Sequence, residues 1–412
     1  MKLIQGDCLE VMKALPDNSV DSCVTDPPYG LKFMGKKWDY NVPTVEQWKE
    51  VYRVMKPGAF LLSFGGTRTY HRMVVNIEDA GFEIRDQIQW LYGSGFPKST
   101  NISKDIDKME GAERKVVGDN PNCRPNCAGK QTRALAAPIT VQPITAPATP
   151  EAIQWDGWGT ALKPANEPIC LARKPLSEKT VAANVLKWGT GGLNIDGCRV
   201  EIDPVADVSQ IRTMKRSKKL EQNGWGMNQN KNDNPQVVSP KGRFPANVIT
   251  DGSDEVVGLF PNTGISSGGR IGKKEISGIN IVPAGQYEAG NPGFGDSGSA
   301  ARFFYCAKAS KTDRNEGLNS PRADAGRASG GFNTHPTVKP TSLMQYLTKL
   351  ITPTGGIVLD PFVGSGSTGK ACIRDGFSFV GIDKDIESVV IAEKRVLHEQ
   401  SKTHKIWTEL FE

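Results

Sequence analysis

The run Asp26-Pro27-Pro28-Tyr29-Gly30 brings together a carboxylate, a fixed carbonyl and an aromatic ring. Two successive prolines hold the backbone and remove two N–H donors, so the carbonyls there are left to accept. A carboxylate and a carbonyl can take the two hydrogens of an exocyclic NH2, and a ring can stack on the planar group that bears it. Taken alone, the run is equally a tight Pro-Pro turn with a packing tyrosine. A second run, Asp360-Pro361-Phe362-Val363-Gly364-Ser365-Gly366-Ser367-Thr368, stands between an apolar segment and a helical pattern. Glycines at a strand-to-helix junction let the backbone approach a ligand and open the helix N-terminus toward it. Asp383 ends the next apolar segment, where a carboxylate can accept from both hydroxyls of a ribose. Strand, glycine turn, helix, strand and terminal acid in that order describe a nucleotide-type cofactor site, against the blander reading of a βα turn with an exposed acid. The spacing Gly364-x4-Gly369-Lys370 also fits a P-loop, but Ala371 stands where that motif needs a Ser or Thr for magnesium.

The elements that must position these runs alternate at both ends of the chain. Lys2–Gln5, Val20–Thr25, Ala59–Phe64 and Ile84–Tyr92 read as strands, and Leu9–Leu15 and Val45–Met55 carry helical spacing. Lys56-Pro57-Gly58 reads as the stop of the second helix. After residue 335 the rhythm returns, with helices over Ser342–Ile351, Thr368–Arg374 and Ile386–His398 and strands over Ile357–Asp360 and Phe377–Asp383. Between the two blocks, Leu135–Pro150 reads as an extended connector, and residues 251–300 hold 12 Gly and 3 Pro, a density suited to long loops. Glu167–Arg173 and Arg302–Lys308 are the strand candidates of this middle. One open α/β sheet assembled from both ends is simpler than two small domains. It sets strand Ile357–Asp360 close to Val20–Thr25, so that both runs open onto one cleft.

Asp26–Tyr29 is the signature of amino-methyltransferases that use S-adenosylmethionine on the exocyclic amines of DNA bases, and the chain resembles that family. Asp360–Thr368 resembles its methionine-binding glycine motif. Asn333-x-His335-Pro336-Thr337-x-Lys339-Pro340 is similar to the segment that precedes it in members of permuted, beta-class order. Gly6-Asp7-Cys8-Leu9-Glu10 resembles the turn that meets the cofactor's adenine. The resemblance implies a Rossmann-like methyltransferase sheet, mostly parallel with one antiparallel strand, and an irregular inserted target-recognition region. Residues 1–100 and 331–412, with 161–175, would form the catalytic domain, 101–160 a connector and 176–330 the recognition region. It implies S-adenosyl-L-methionine as cofactor, held by Asp7, Cys8, Thr337, Lys339, Asp360, Phe362, Gly364, Ser365, Gly366, Thr368 and Asp383. The catalytic residues would be Asp26, Pro27, Pro28 and Tyr29, methylating adenine N6 in duplex DNA with the base flipped out. Cytosine N4 is the close rival, followed by a methylase-derived DNA-binding protein that no longer reacts. Amide methylation in a protein fits less well, because such enzymes show Asn first and an unpermuted order. His335 would be structural, while His71, His398 and His404 have no catalytic company.

Lys plus Arg exceed Asp plus Glu by 51 to 45, too small a surplus to announce a nucleic-acid partner as a total. The excess is local: Arg212, Lys215, Arg216, Lys218 and Lys219 form the densest basic run, followed by Trp225 and the amide-rich 228–234. Basic side chains neutralise phosphates, and amides and tryptophan read or stack on bases, so this run is a candidate duplex-DNA contact. Phe96–Ser99 and Trp155–Trp158 are further candidates for lining the cleft. No stretch of about 18 apolar residues occurs, so no membrane span is expected. MKLIQGDCLE is no secretory signal, which points to a cytoplasm with reduced thiols, and the resemblance implies that of a bacterial or phage-infected cell. Cys8, Cys23, Cys306 and Cys372 read as buried thiols, and Cys123-x3-Cys127 lacks a second pair at zinc spacing, so no metal is expected. A homodimer and a cognate restriction endonuclease are the protein partners the resemblance suggests.

Overall fold

The computed structural model describes residues 1–31, 39–95, 99–119, 143–201, 242–263, 297–307, 311–318, 333, 335 and 337–411. The chain divides into two compact units, Met1–Gly93 with Asn166–Glu412, and Ser94–Ala165. In chain order the strands are β1 (Lys2–Gln5), β2 (Val20–Thr25), β3 (Met55–Phe64), β4 (Glu83–Leu91), β5 (Val116–Asp119), β6 (Pro143–Thr145), β7 (Asn166–Arg173), β8 (Val248–Thr250), β9 (Asn262–Thr263), β10 (Gly298–Ser299), β11 (Tyr305–Cys306), β12 (Ile357–Asp360) and β13 (Ser378–Asp383). The helices are α1 (Cys8–Lys13), α2 (Val45–Val54), α3 (Tyr70–Asp79), α4 (Ile102–Met109), α5 (Pro150–Gln154), α6 (Val181–Trp188), α7 (Asp254–Val257), α8 (Lys311–Asn315), α9 (Thr341–Ile351), α10 (Ser367–Asp375) and α11 (Ile386–Phe411).

The larger unit is built on a nine-stranded sheet in the order β1-β13-β12-β2-β3-β7-β4-β8-β11. β7 runs against both of its neighbours, and the other eight strands are parallel to one another. Parallel strands covered on both faces read as continuous apolar runs, and all six residues of β2 are buried. Alternation along β3 divides the core: Phe60, Leu62 and Phe64 join one apolar cluster with α9 and α10, and Leu61 joins the other with α1, α2 and α3. As the sequence leads one to expect, β12 lies directly beside β2, with Val358 opposite Ser22 and Leu359 opposite Cys23. Their carboxyl ends are tied by the Thr25 hydroxyl, which donates to Asp360 Oδ1 at 2.6 Å.

Several boundaries depart from the sequence reading. α2 ends at Val54, and Met55-Lys56-Pro57-Gly58 opens β3 instead of forming a stop. The Gly58 N–H donates to the Lys174 carbonyl, and the Pro57 carbonyl accepts from Asn184 and Thr190, so tertiary partners carry the chain through a local breaker. Arg302–Lys308 is not one strand. Ala300–Phe303 forms a 3-10 turn capped by Ser299, with the Arg302 guanidinium on the carbonyls of Gly298 and Ser299, and among the described residues of this stretch only Tyr305–Cys306 pairs as a strand. β11 pairs with β8, a three-residue strand too short to carry a visible period. α11 continues past His398 to Phe411. Cys8, Cys23 and Cys372 are buried free thiols, whereas Cys306 is half-buried.

In the smaller unit, residues 143–150 of the expected Leu135–Pro150 connector are among those described. β6 pairs with β5, and Pro150 opens α5 beside its cap Thr149. The buried Asp107 carboxylate gathers Arg114, the Ala148 N–H and both the N–H and hydroxyl of Thr149. Trp155 and Trp158 stand edge to face at 5.0 Å and are both exposed. No helix among the described residues is long and apolar enough to cross a membrane.

Candidate active site

A cavity of about 610 Å³ opens at the carboxyl ends of β1, β13, β12 and β2, a size that suits a small organic ligand. Asp26, Pro27, Pro28, Tyr29, Asp7, Cys8, Thr337, Lys339, Asp360, Phe362, Gly364, Ser365, Thr368 and Asp383 all line it, and Gly366 alone of that set does not. Arg212, Lys215, Arg216, Lys218, Lys219 and Trp225 lie outside the described residues, as do Phe96–Lys98 and the Cys123 and Cys127 pair. Among the described residues no cluster of metal-ligating side chains occurs.

On the cofactor-motif side, backbone geometry does most of the positioning. Gly364 and Gly366 have φ of +49° and +79°, conformations open to glycine at little cost. A Cβ on Gly366 would sit 2.8 Å from the Cα of Ala392, which explains its place behind the cavity wall: it lets the glycine turn pack on α11. Asp383 Oδ2 accepts the Gly364 N–H at 2.8 Å and Oδ1 accepts the Asp385 N–H at 2.9 Å. Burial lifts its carboxyl above the usual range, against those two bonds. Asp360 is more deeply sunk than a cofactor ligand at a turn need be. Its oxygens accept from Thr25, Thr368 and the Phe362 N–H, and burial still raises it to about 7. Asp7 caps α1 through the Leu9 N–H and meets Lys384 at 3.3 Å. Burial pushes the Cys8 thiol up to about 11, and its Sγ accepts from Gln47 at 3.2 Å. Phe362 is set against the edge of Trp48.

The acceptor-motif side is held by residues that spacing alone does not reveal. The N–H groups of Tyr29 and Gly30 donate to Asp39 Oδ1 at 2.7 and 2.9 Å, and Thr69 donates to the Tyr29 carbonyl at 2.6 Å, so the turn is pinned from two directions. Lys339 does not keep to the cofactor-motif side. Its Nζ lies 2.6 Å from Asp26 Oδ2, 3.0 Å from Glu167 Oε2 and 3.2 Å from the Tyr29 hydroxyl. That hydroxyl is 2.7 Å from Asp26 Oδ1 and 2.9 Å from Glu167 Oε2 and donates to one at a time. Glu167, read from sequence only as the start of a strand, thus belongs to the site. Burial pulls the Lys339 ammonium down, and the carboxylates of Asp26 and Glu167 outweigh it and hold it raised. Burial, then the same two carboxylates, push the Tyr29 phenol well above its ordinary range. Lys370, the residue behind the P-loop resemblance, does not line the cavity and sits on Asp313, Glu316 and Glu399 instead. His335 lines it with Nδ1 3.0 Å from the Thr337 carbonyl, its imidazole held below the usual range by burial.

The strand order and a cavity at the strand ends define a Rossmann-like α/β protein. Residues 20–394 match the profile of the N6/N4 DNA methylase family, and the chain belongs to that family. It is 47% identical over 62 residues to the type II methyltransferase M2.DpnII of Streptococcus pneumoniae, a stretch that covers 15% of this chain and 23% of that one. It is likewise similar, at 44% over 62 residues, to the type II methyltransferase M2.LlaDCHI of Lactococcus lactis subsp. cremoris, again spanning 23% of the relative. Among solved structures, the PvuII DNA methyltransferase (cytosine-N4-specific) is 13% identical at a TM-score of 0.41, with 96% of this chain and 85% of that chain covered.

Proposed function

We propose that the protein transfers the methyl group of S-adenosylmethionine to the exocyclic N6 amine of an adenine flipped out of duplex DNA. The observation that carries this reading is that Asp26, the glycine turn at Gly364 and the Asp383 carboxylate open into one cavity, so that an acceptor amine and a cofactor held by the two motifs share one space. The lining suits such a cofactor: acids at Asp7, Asp383, Asp385 and Glu387 for hydroxyl and amino groups, and apolar surface from Phe362, Val363 and Ile391 for a flat ring. When bound, the cofactor supplies a sulfonium methyl group, which is electrophilic as it stands.

The chain's own residues act on the acceptor. An aromatic amine is a poor nucleophile because its lone pair is delocalised into the ring. Asp26 and the Pro27 carbonyl accept its N–H bonds, localise that lone pair and stabilise the positive charge that grows on nitrogen. Tyr29, with its hydroxyl anchored on Asp26 and Glu167, offers its ring to the base, and positioning does the rest. Flipping the base costs a few kcal/mol, offset by those contacts. Aspartate at the first position favours adenine by the habit of the family.

The test expresses wild type and Asp26→Ala in a host that lacks DNA amine methylation, hydrolyses the DNA and weighs the nucleosides. N6-methyladenine is expected from wild type and at least ~100-fold less from the variant. N4-methylcytosine in its place would move the reaction to cytosine. Unmodified DNA from wild type, or equal modification by the variant, would overturn the reading.

A further inference from the structure

Two carboxylates, those of Asp26 and Glu167, approach the one ammonium of Lys339 at 2.6 and 3.0 Å. Asp26 lies past the end of β2 and Glu167 near the start of β7, which approaches from the opposite direction. Lys339, whose side chain is 8% exposed, touches both, and each carboxylate is 20% exposed. The other titratable groups near them are Tyr29, Tyr92, His335 and Asp360. The two phenols are pushed up by burial and stay neutral, and burial keeps His335 neutral near pH 7. Within this group Lys339 is therefore the cation. Its main chain is tied as well, the carbonyl accepting from Ser367 at the start of α10 at 2.8 Å. The ammonium thus links the helix behind the glycine turn to the acceptor-binding carboxylate.

We propose that Lys339 and Glu167 are positioning residues for Asp26. Lys339 keeps Asp26 ionised and turned into the cavity, and Glu167 holds Lys339 and the Tyr29 hydroxyl in place. The inference deepens the functional reading above, since an ionised Asp26 is the form that accepts from an amine and stabilises a growing cation. Its electrostatic content is separable from activity. Without Lys339 the two carboxylates that meet it lose their shared cation, and a nearby like charge makes each harder to ionise. Without the Glu167 charge, Asp26 faces the ammonium alone and ionises more easily.

The experiment follows Asp26 by NMR in protein carrying 13C in its aspartate carboxyls, taking as Asp26 the resonance lost in Asp26→Asn. Its titration midpoint is expected to rise by at least about one pH unit in Lys339→Met and to fall in Glu167→Gln. In the Lys339→Met, Glu167→Gln double variant it should return toward the wild-type value. In single-turnover methyl transfer, the acid limb of the rate should move in the same directions, which lost packing alone would not produce. The Glu167→Gln shift stands by itself should Lys339→Met fail to fold. Midpoints unchanged in Glu167→Gln, or moved the same way in both single variants, overturn the inference. A correct set of midpoints in a protein that methylates no DNA would uphold it and sink the functional reading alone.

Discussion

Burial lifts the Asp360 carboxyl to about 7, against the Thr25 and Thr368 hydroxyls and the Phe362 N–H, which pull it down. In the unfolded chain the group ionises near ~4. Between those two values the native state holds more protons than the unfolded one, so the Asp360 contribution to stability is present at low pH and lost as pH rises toward 7. Asp360→Asn keeps an oxygen for the Phe362 N–H and removes the titration. Urea unfolding at stepped pH is therefore expected to show a flatter profile for the variant, the two slopes differing by up to ~1.4 kcal/mol per pH unit. Parallel slopes would show that the native carboxyl is not raised. The sequence placed Asp360 correctly at the end of a strand before a glycine turn. It could not show that Thr25, 335 positions away, closes the bond that joins the two motif strands. Glu167 was hidden for the same reason: it lies in an ordinary strand run, and its site partner Tyr29 is 138 positions distant.

Among the elements, α10 carries the glycine turn on one end and a buried cation in its middle. Lys370 is fully buried and meets Asp313 at 2.7 Å, Glu316 at 3.1 Å and Glu399 at 3.6 Å, so α8, the residues after it and α11 are all drawn onto one helix. Glu399 also meets Arg374, Glu316 meets Lys402 and Asp313 accepts from Thr341, so losing Lys370 costs less than the ~3–5 kcal/mol of breaking an isolated buried pair. Lys370→Met is accordingly expected to lower the melting temperature by several degrees in calorimetry, although it matches the lysine stem in length and adds apolar surface. An unchanged melting temperature would mean that the cluster is solvated and contributes little. The P-loop spacing around Lys370 is thus a by-product of helix packing, which periodicity cannot distinguish from ligand binding. Strands of four to six residues, such as β2, β12 and β13, were legible, β12 because Ile357-Val358-Leu359 is a short apolar run ahead of a turn. β8, of three residues, was not, and Arg302–Lys308 held a strand only at Tyr305–Cys306. The opening of β3 was masked by Pro57-Gly58, whose conformation is decided by Lys174, Asn184 and Thr190.

For the whole molecule, the order of the chain and the distribution of charge pull in one direction. β12 and β13 sit between β1 and β2, so strands from the last sixty residues complete a sheet begun by the first twenty-five. Sheet closure waits on contacts between distant parts of the chain, a slow kind of pairing. This arrangement brings both motifs to one cavity although most of the chain, its long middle, lies between them. The basic run at residues 212–219 is the part of that middle best equipped to meet phosphates, and in a chain with 51 basic and 45 acidic residues it supplies much of the positive excess. Replacing Arg212, Lys215, Arg216, Lys218 and Lys219 by glutamine keeps size and polarity and takes five charges from one stretch. If the run neutralises duplex phosphates, each lost contact lowers the slope of log affinity against log salt by ~0.9, so the variant's slope should fall by at least ~2. Fluorescence titrations of duplex DNA from about 50 to 200 mM salt measure it, with calorimetry of S-adenosylmethionine binding as the control for an intact cavity. An unchanged slope with intact cofactor binding would place the phosphate contacts elsewhere, and the basic run would then be a solvated surface whose charge happens to cluster.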